Sequence, residues 1–307
     1  MKNKNTLILV IIFACIGTAS GESSAFSGKV FYNYSHSKED NAVNGFGFSR
    51  VYFTMEKQIT DELSYKFQTD VNTGDSPKGI YLKNAKMDWQ TGFGKIVIGL
   101  QGMNMFKIQE NNWGYRYIEK STMDLYKYSS SADMGMGYYN SMGKLSISSL
   151  MTNGTGYKKS ENDSKKKLSF QAFYGENKIS SKNGFNIGGV LSYEPYDLDS
   201  VTVENKTVMG VFGGFAGKGF RLGGEYNQKM DSADKDETNS IISMYGKFSF
   251  NKHLTIFGRF DIISAETSEN NLIAGIEYQP TKGLCIAPNY RKNGEETILT
   301  LNFQFKI

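Results

Sequence analysis

The residue types that carry hydrolytic or redox chemistry are scarce in this chain. Its two histidines are His36 and His253, and its two cysteines are Cys15 and Cys285. Acid–base and nucleophilic catalysis need a base and a nucleophile within hydrogen-bond reach. No HExxH, GxSxG, P-loop or CxxC pattern appears. A strand-by-strand reading puts His36 on a first outer loop and His253 on a turn at the other end of the fold, so they cannot share a site. No enzyme, catalytic residue, cofactor or metal site is expected. What the sequence does supply is charge set singly among apolar neighbours: Arg50, Lys66, Lys86, Arg221, Arg259 and Arg291, with Asp70, Asp88, Glu225, Asp261 and Glu277. Charges of that kind, ringed around a narrow low-dielectric passage, select ions.

The elements that must position them are strands. Residues 63–71 read Leu-Ser-Tyr-Lys-Phe-Gln-Thr-Asp-Val, apolar on one face and polar on the other. Residues 297–307 alternate in the same way. Sixteen such runs centre near residues 31, 51, 67, 85, 98, 136, 148, 170, 189, 211, 224, 245, 258, 275, 287 and 302. The expected length is about 9 to 11 residues each, enough for a tilted strand to cross a bilayer. Short connectors (58–61, 91–94, 141–143, 217–219, 251–253, 280–283) alternate with polar loops (158–167, 195–206, 229–239, 264–270); the connector 176–183 is of middling length. An even strand count with short turns on one side and longer loops on the other predicts an all-β fold, a transmembrane antiparallel β-barrel. A closed sheet satisfies every backbone group in lipid and leaves no edge. Tyr32, Tyr34, Phe53, Tyr65, Tyr138, Tyr139, Phe248, Phe250, Tyr278, Phe303 and Phe305 are the expected interfacial girdles.

Composition agrees. The 307 residues include 33 Gly, 21 Phe and 19 Tyr but only 4 Pro, with mean hydropathy −0.43. The longest apolar run, 7–16, is too short for a spanning helix, which excludes a polytopic helical membrane protein. A net charge of +4 is weak for a nucleic-acid binder.

Lys2 and Lys4, the apolar stretch 6–16 and the small residues 17–21 form a bacterial-type secretory signal. The expected division is 1–20 signal peptide and 21–307 barrel domain. Removing Lys2 and Lys4 lowers the net charge from +4 to +2. Cys15 leaves with the signal, so Cys285 stands alone and no intrachain disulfide is expected.

The longest connector, 102–131, is the third outer loop when counted from a periplasmic N-terminus. It is rich in aromatic and apolar residues, including Phe106, Trp113, Tyr115 and Tyr117. Such a loop is expected to fold inward and narrow the lumen. It adds Lys107, Arg116, Lys120 and Lys127 against Glu110, Glu119 and Asp124. The strand charges count six basic to five acidic. A weak anion preference follows, with Arg116 and Lys120 nearest mid-barrel.

The stretch 46–156 resembles the phosphate-selective porins of the O and P type. Phe48-Ser49-Arg50-Val51-Tyr52 resembles that family's early strand with an inward Arg, and Leu82-Lys83-Asn84-Ala85-Lys86-Met87-Asp88-Trp89 its L-x-D-A-Y-V-D-Y strand. Gly99-Leu100-Gln101 is similar to the G-Q before the third loop. Ile118-Glu119-Lys120-Ser121 resembles I-E-R-S, Asp133-Met134-Gly135 resembles R-D-L-G, and Asn153-Gly154-Thr155-Gly156 matches N-G-x-G. The chain departs from the family pattern at Ala132, which stands where an Arg is usual, and in ending on Lys306-Ile307. The resemblance implies the barrel and the pore, and a homotrimer.

The function expected is therefore an outer-membrane porin, a water-filled channel for passive diffusion of ions and small hydrophilic solutes, weakly favouring anions such as phosphate. The alternative is a non-conducting barrel acting as scaffold or adhesin. The pore-lining candidates are Arg50, Lys66, Lys86, Lys107, Arg116, Glu119, Lys120, Lys127, Arg221, Arg259 and Arg291. The partners expected are outer-membrane lipid and lipopolysaccharide, with Lys158, Lys159 and Lys165 to Lys167 as possible phosphate contacts of the outer leaflet. The location expected is the outer membrane of a Gram-negative bacterium.

Overall fold

The computed structural model describes residues 24–39, 42, 44–71, 79–199, 201–233, 238–265 and 268–307. The signal expected over 1–20 lies outside the described residues.

Sixteen strands run in chain order: β1 (Ala25–Ser37), β2 (Gly45–Gln58), β3 (Leu63–Val71), β4 (Ile80–Thr91), β5 (Gly94–Gly102), β6 (Ala132–Met142), β7 (Leu145–Thr152), β8 (Lys167–Gly175), β9 (Gly184–Asp197), β10 (Val203–Gly217), β11 (Phe220–Asp231), β12 (Thr238–Ser249), β13 (Leu254–Ser264), β14 (Ser268–Thr281), β15 (Leu284–Asn293) and β16 (Glu296–Lys306). Two short helices, α1 (Lys107–Trp113) and α2 (Thr122–Leu125), lie between β5 and β6. Their seven and four residues are too few for the periodicity that marks a helix in sequence.

Every strand pairs antiparallel with its sequence neighbours, and β1 closes on β16. The closing ladder runs from Lys29 opposite Lys306 to Ser37 opposite Ile298. It is finished by reciprocal backbone bonds between Gly28 and Ile307, of 3.1 and 3.0 Å. The barrel therefore has no free edge to recruit another chain.

All sixteen expected centres fall inside these strands, but the lengths differ, from 8 residues in β7 to 15 in β10. Ladders continue through polar residues: Tyr196 stands opposite Glu204 and Lys206 opposite Asp231. Pairing uses N–H and C=O groups and is indifferent to side-chain polarity. Strands thus take up much of the polar stretches 195–206, 229–239 and 264–270: β9 runs to Asp197, β10 starts at Val203, β11 runs to Asp231, β12 starts at Thr238, β13 runs to Ser264 and β14 starts at Ser268. For the same reason His36 lies in β1, opposite Leu299, and not in a loop.

Alternation sets the two faces. In β8, Leu168, Phe170 and Tyr174 are exposed while Lys167, Ser169, Gln171 and Phe173 are buried. In β13, Leu254, Ile256 and Phe260 face out and Phe257, Arg259 and Asp261 are buried. Tyr138 and Tyr139 are adjacent, so only one can face outward. Tyr138 does, donating from its hydroxyl to the Phe93 carbonyl at 2.6 Å, whereas Tyr139 lines an interior cavity and leaves the expected girdle.

Candidate functional site

The connector 103–131 is held from end to end by side chains of the strands. At its start, the Asn104 amide donates to the Ser148 hydroxyl at 3.0 Å, and the Gln171 amide donates to the Asn104 carbonyl at 2.6 Å. Asn112 and Asn186 exchange amide hydrogen bonds of 2.7 and 2.8 Å. Helix α1 stops at Gly114, whose φ of 72° is left-handed; its N–H donates to the Glu110 carbonyl at 2.8 Å. The Arg221 guanidinium sits against this turn and donates to the Trp113 carbonyl at 2.6 Å.

Further anchors come from β13, β14 and β15. The Tyr117 hydroxyl donates to Glu277 at 2.6 Å. Arg291 donates to the Ile118 carbonyl at 2.5 Å and to the Glu119 carboxylate at 2.8 Å. Arg259 donates to the Lys120 carbonyl while pairing with Asp261 at 2.7 Å. Hydrogen bonds to charged groups are worth about 1.5–3 kcal/mol each, so these arginines are strong fasteners.

Apolar contacts follow the same division. Met105, Phe106, Ile108, Met123 and Tyr128 share a core with Phe173, Val190, Val208, Phe212, Ile241 and Ile263. Trp113, Tyr115, Tyr117 and Ile118 share another with Phe31, Tyr245, Phe257, Ile273, Cys285 and Ala287. These strand residues lie on the face opposite the exposed apolar rows. A strict polar-inside rule does not anticipate them, because it takes the lumen to be water-filled throughout.

Within the connector, Glu110 bonds Lys107 at 2.7 Å and Arg116 at 3.0 Å, and Arg116 reaches Asp124 at 3.3 Å. Burial opposes charge on the Glu110 carboxyl, but Lys107 and Arg116 outweigh it and hold the group below the usual carboxylate range.

On the side of β2 to β7, with Phe31 and Phe173 of those two cores at its margins, is a cavity of about 1110 Å³. Nine basic side chains line it (Lys29, Lys66, Lys83, Lys86, Lys95, Lys107, Arg116, Lys178, Lys306) against three acidic ones (Glu56, Glu110, Asp124), an excess of six positive charges. Its lining includes residues at the short-turn end, such as Lys29, Gly94, Ser141 and Lys306. A shallower groove of about 710 Å³ over Phe170, Leu191 and Val211, on the exposed apolar face, has no charged lining residue.

Of the residues picked from sequence, Lys66, Lys86, Lys107 and Arg116 line this cavity together. Lys66 also bonds Glu56 at 2.7 Å and Lys86 bonds Asp88 at 2.5 Å. Arg50 is above them, paired with Asp70 at 3.1 Å. Arg221, Arg259, Arg291 and Glu119 are engaged in fastening the connector. Lys120 contributes its backbone carbonyl to that fastening, and Lys127 is exposed with a left-handed φ of 59°.

Lys83 was missed. Register shifts between Gln68 and Thr69, so that Gln68 faces Asn84 and Thr69 faces Leu82. Lys83 is the extra residue of this β-bulge, and both it and Asn84 turn inward. No local sequence signal marks the bulge.

No family model matches the chain, and no curated protein matches it in sequence. Solved structures do match in shape. The anion-selective porin from Comamonas acidovorans superposes with TM-score 0.72 at 10% identity, covering 94% of this chain and 100% of that one. Salmonella typhi OmpF in complex with daunomycin gives 0.70 at 12% identity, covering 94% and 98%. The trimer form of Vibrio cholerae OmpT, an outer membrane protein, gives 0.66 at 12% identity, covering 94% and 100%. The chain therefore has the sixteen-strand porin fold. At these identities the likeness is one of architecture.

Proposed function

We propose that this protein is an outer-membrane porin, a pore for passive diffusion of ions and small hydrophilic solutes that weakly favours anions. The observation that carries this reading is the pairing of a closed barrel, apolar on its exposed face, with an interior cavity whose basic lining residues outnumber acidic ones nine to three. Fixed charge in a low-dielectric enclosure raises the local concentration of counter-ions. The connector 103–131 lies across the bore in this reading and confines passage to the β1–β8 side. The long-loop end faces the cell exterior, residues 1–20 are cleaved on export, and three copies assemble as in the trimer form of OmpT. In this reading phosphate is among the anions that pass.

Single-channel recording in planar bilayers tests the reading. Stepwise conductance, with reversal potentials in a salt gradient on the anion side, is the expected result. A folded barrel that never conducts overturns it in favour of the scaffold reading, which the apolar filling beside β1 and the strands from β8 to β15 favours.

A further inference from the structure

The cavity ends where Lys83 and Ser131 stand, and none of its lining residues comes from the connector 153–166. Above that level Tyr157 folds in from this connector. Its N–H donates to the Ala132 carbonyl at 3.1 Å, and its ring lies 5.6 Å from that of Tyr81. The Lys83 ammonium sits 3.8 Å from the Tyr157 ring centroid and bonds the Ser131 hydroxyl. Among the described residues no carboxylate pairs with it. A buried cation without a counter-charge is costly and is commonly found where function needs it.

The two walls of this contact differ in rigidity. Tyr81 is fixed: its hydroxyl donates to Asp70 at 2.9 Å, and Arg50 donates to both Asp70 and the Tyr81 oxygen, at 3.1 and 3.2 Å. Tyr157 is held by its single backbone bond to Ala132, just past Gly154 and Gly156, whose φ are 103° and 78°; the bonds of Asn153 to the Met134 carbonyl and of Gly154 to Asp133 pin the stem before it. Beyond it Lys158, Lys159 and Ser160 are exposed. Segments with few buried contacts are those that open first.

We propose that the Lys83–Tyr157 contact is the selective outer neck of the pore. Tyr157 covers the Lys83 ammonium in the closed arrangement. When it lifts about Gly156, which precedes it, Lys83 is the bare cation that a solute must pass. This rests on the pore reading above and names the residues at which passage is selected.

The test is planar-bilayer recording on the full-length barrel in potassium chloride, comparing wild type with Tyr157→Ala, Lys83→Gln, Lys83→Arg and, as a surface control, Lys159→Gln. Heat-modifiable gel mobility confirms folding of each. The proposal expects Tyr157→Ala to raise conductance about twofold or to abolish closures, by removing the ring that narrows the passage. Lys83→Gln lowers the anion-over-cation permeability ratio by about threefold, Lys83→Arg keeps it, and Lys159→Gln changes neither quantity. Conducting wild type with both Tyr157→Ala and Lys83→Gln unchanged overturns the neck and leaves the pore standing. Silence from wild type and Tyr157→Ala alike overturns the pore reading, and the neck with it. A silent wild type beside a conducting Tyr157→Ala supports both.

Discussion

The guanidinium of Arg221 closes on the backbone of Trp113, 108 positions away in sequence, and leaves no room beside it for a side chain at residue 114. A Cβ built on Gly114 would stand 2.5 Å from the Arg221 guanidinium, and the φ of 72° is one that L side chains seldom adopt. Gly114→Ala should therefore cost about 1–3 kcal/mol in holding the connector down. The check is limited proteolysis in detergent, with cleavage within 103–131 faster than in wild type while the strands stay protected.

Arg259 and Asp261 form a pair that is almost wholly buried, with side-chain exposures of 1% and 3%. Arg259→Met leaves the carboxylate without its partner and frees the Lys120 carbonyl, a loss of about 3–5 kcal/mol. Arg259→Met combined with Asp261→Leu should recover much of it, because neither member of the pair is then left buried without the other. Denaturant unfolding followed by tryptophan fluorescence measures both, and equal losses in the single and double variants would contradict the account.

Lys86 lines the cavity beside Asp88, which also bonds Lys95 at 3.3 Å. Asp88→Asn should strengthen anion preference and Lys86→Glu should weaken it, since each changes the fixed charge along the passage. Arg291→Gln, remote from the cavity lining, should act on closure kinetics more than on reversal potential. Salt-gradient recordings separate these outcomes.

The Glu110 carboxyl, held below the usual range by Lys107 and Arg116 against the effect of burial, implies a definite acid response. A carboxylate whose folded pKa is depressed stabilises above its unfolded value, about 4.3, and that contribution fades as pH falls through the folded value. Conductance and protease resistance of the connector should stay level from pH 8 to 5 and change only below about pH 4. Glu110→Gln should shift the acid response or flatten it.

Much of this architecture is legible in the sequence. The alternation at Leu63 to Val71 predicted β3, and the same pattern at the C-terminus predicted the strand that closes on β1. Alternation is a local property, fixed by side chains two residues apart, and lipid outside a barrel rewards it along every strand. The long connector and its aromatic content were equally plain.

What the sequence could not settle was which residues meet. Whether Arg221 meets water or the Trp113 carbonyl, and whether Arg50 is free or bound to Asp70, depends on partners many residues away. Phe173 and Val208 occupy inward positions because the connector brings apolar side chains to cover them. Lys83 faces the cavity because one extra residue in β4 breaks the period of two. A period carries no record of its own interruptions, and register across a closed sheet is set by all sixteen strands together, so these placements exist only in the tertiary structure.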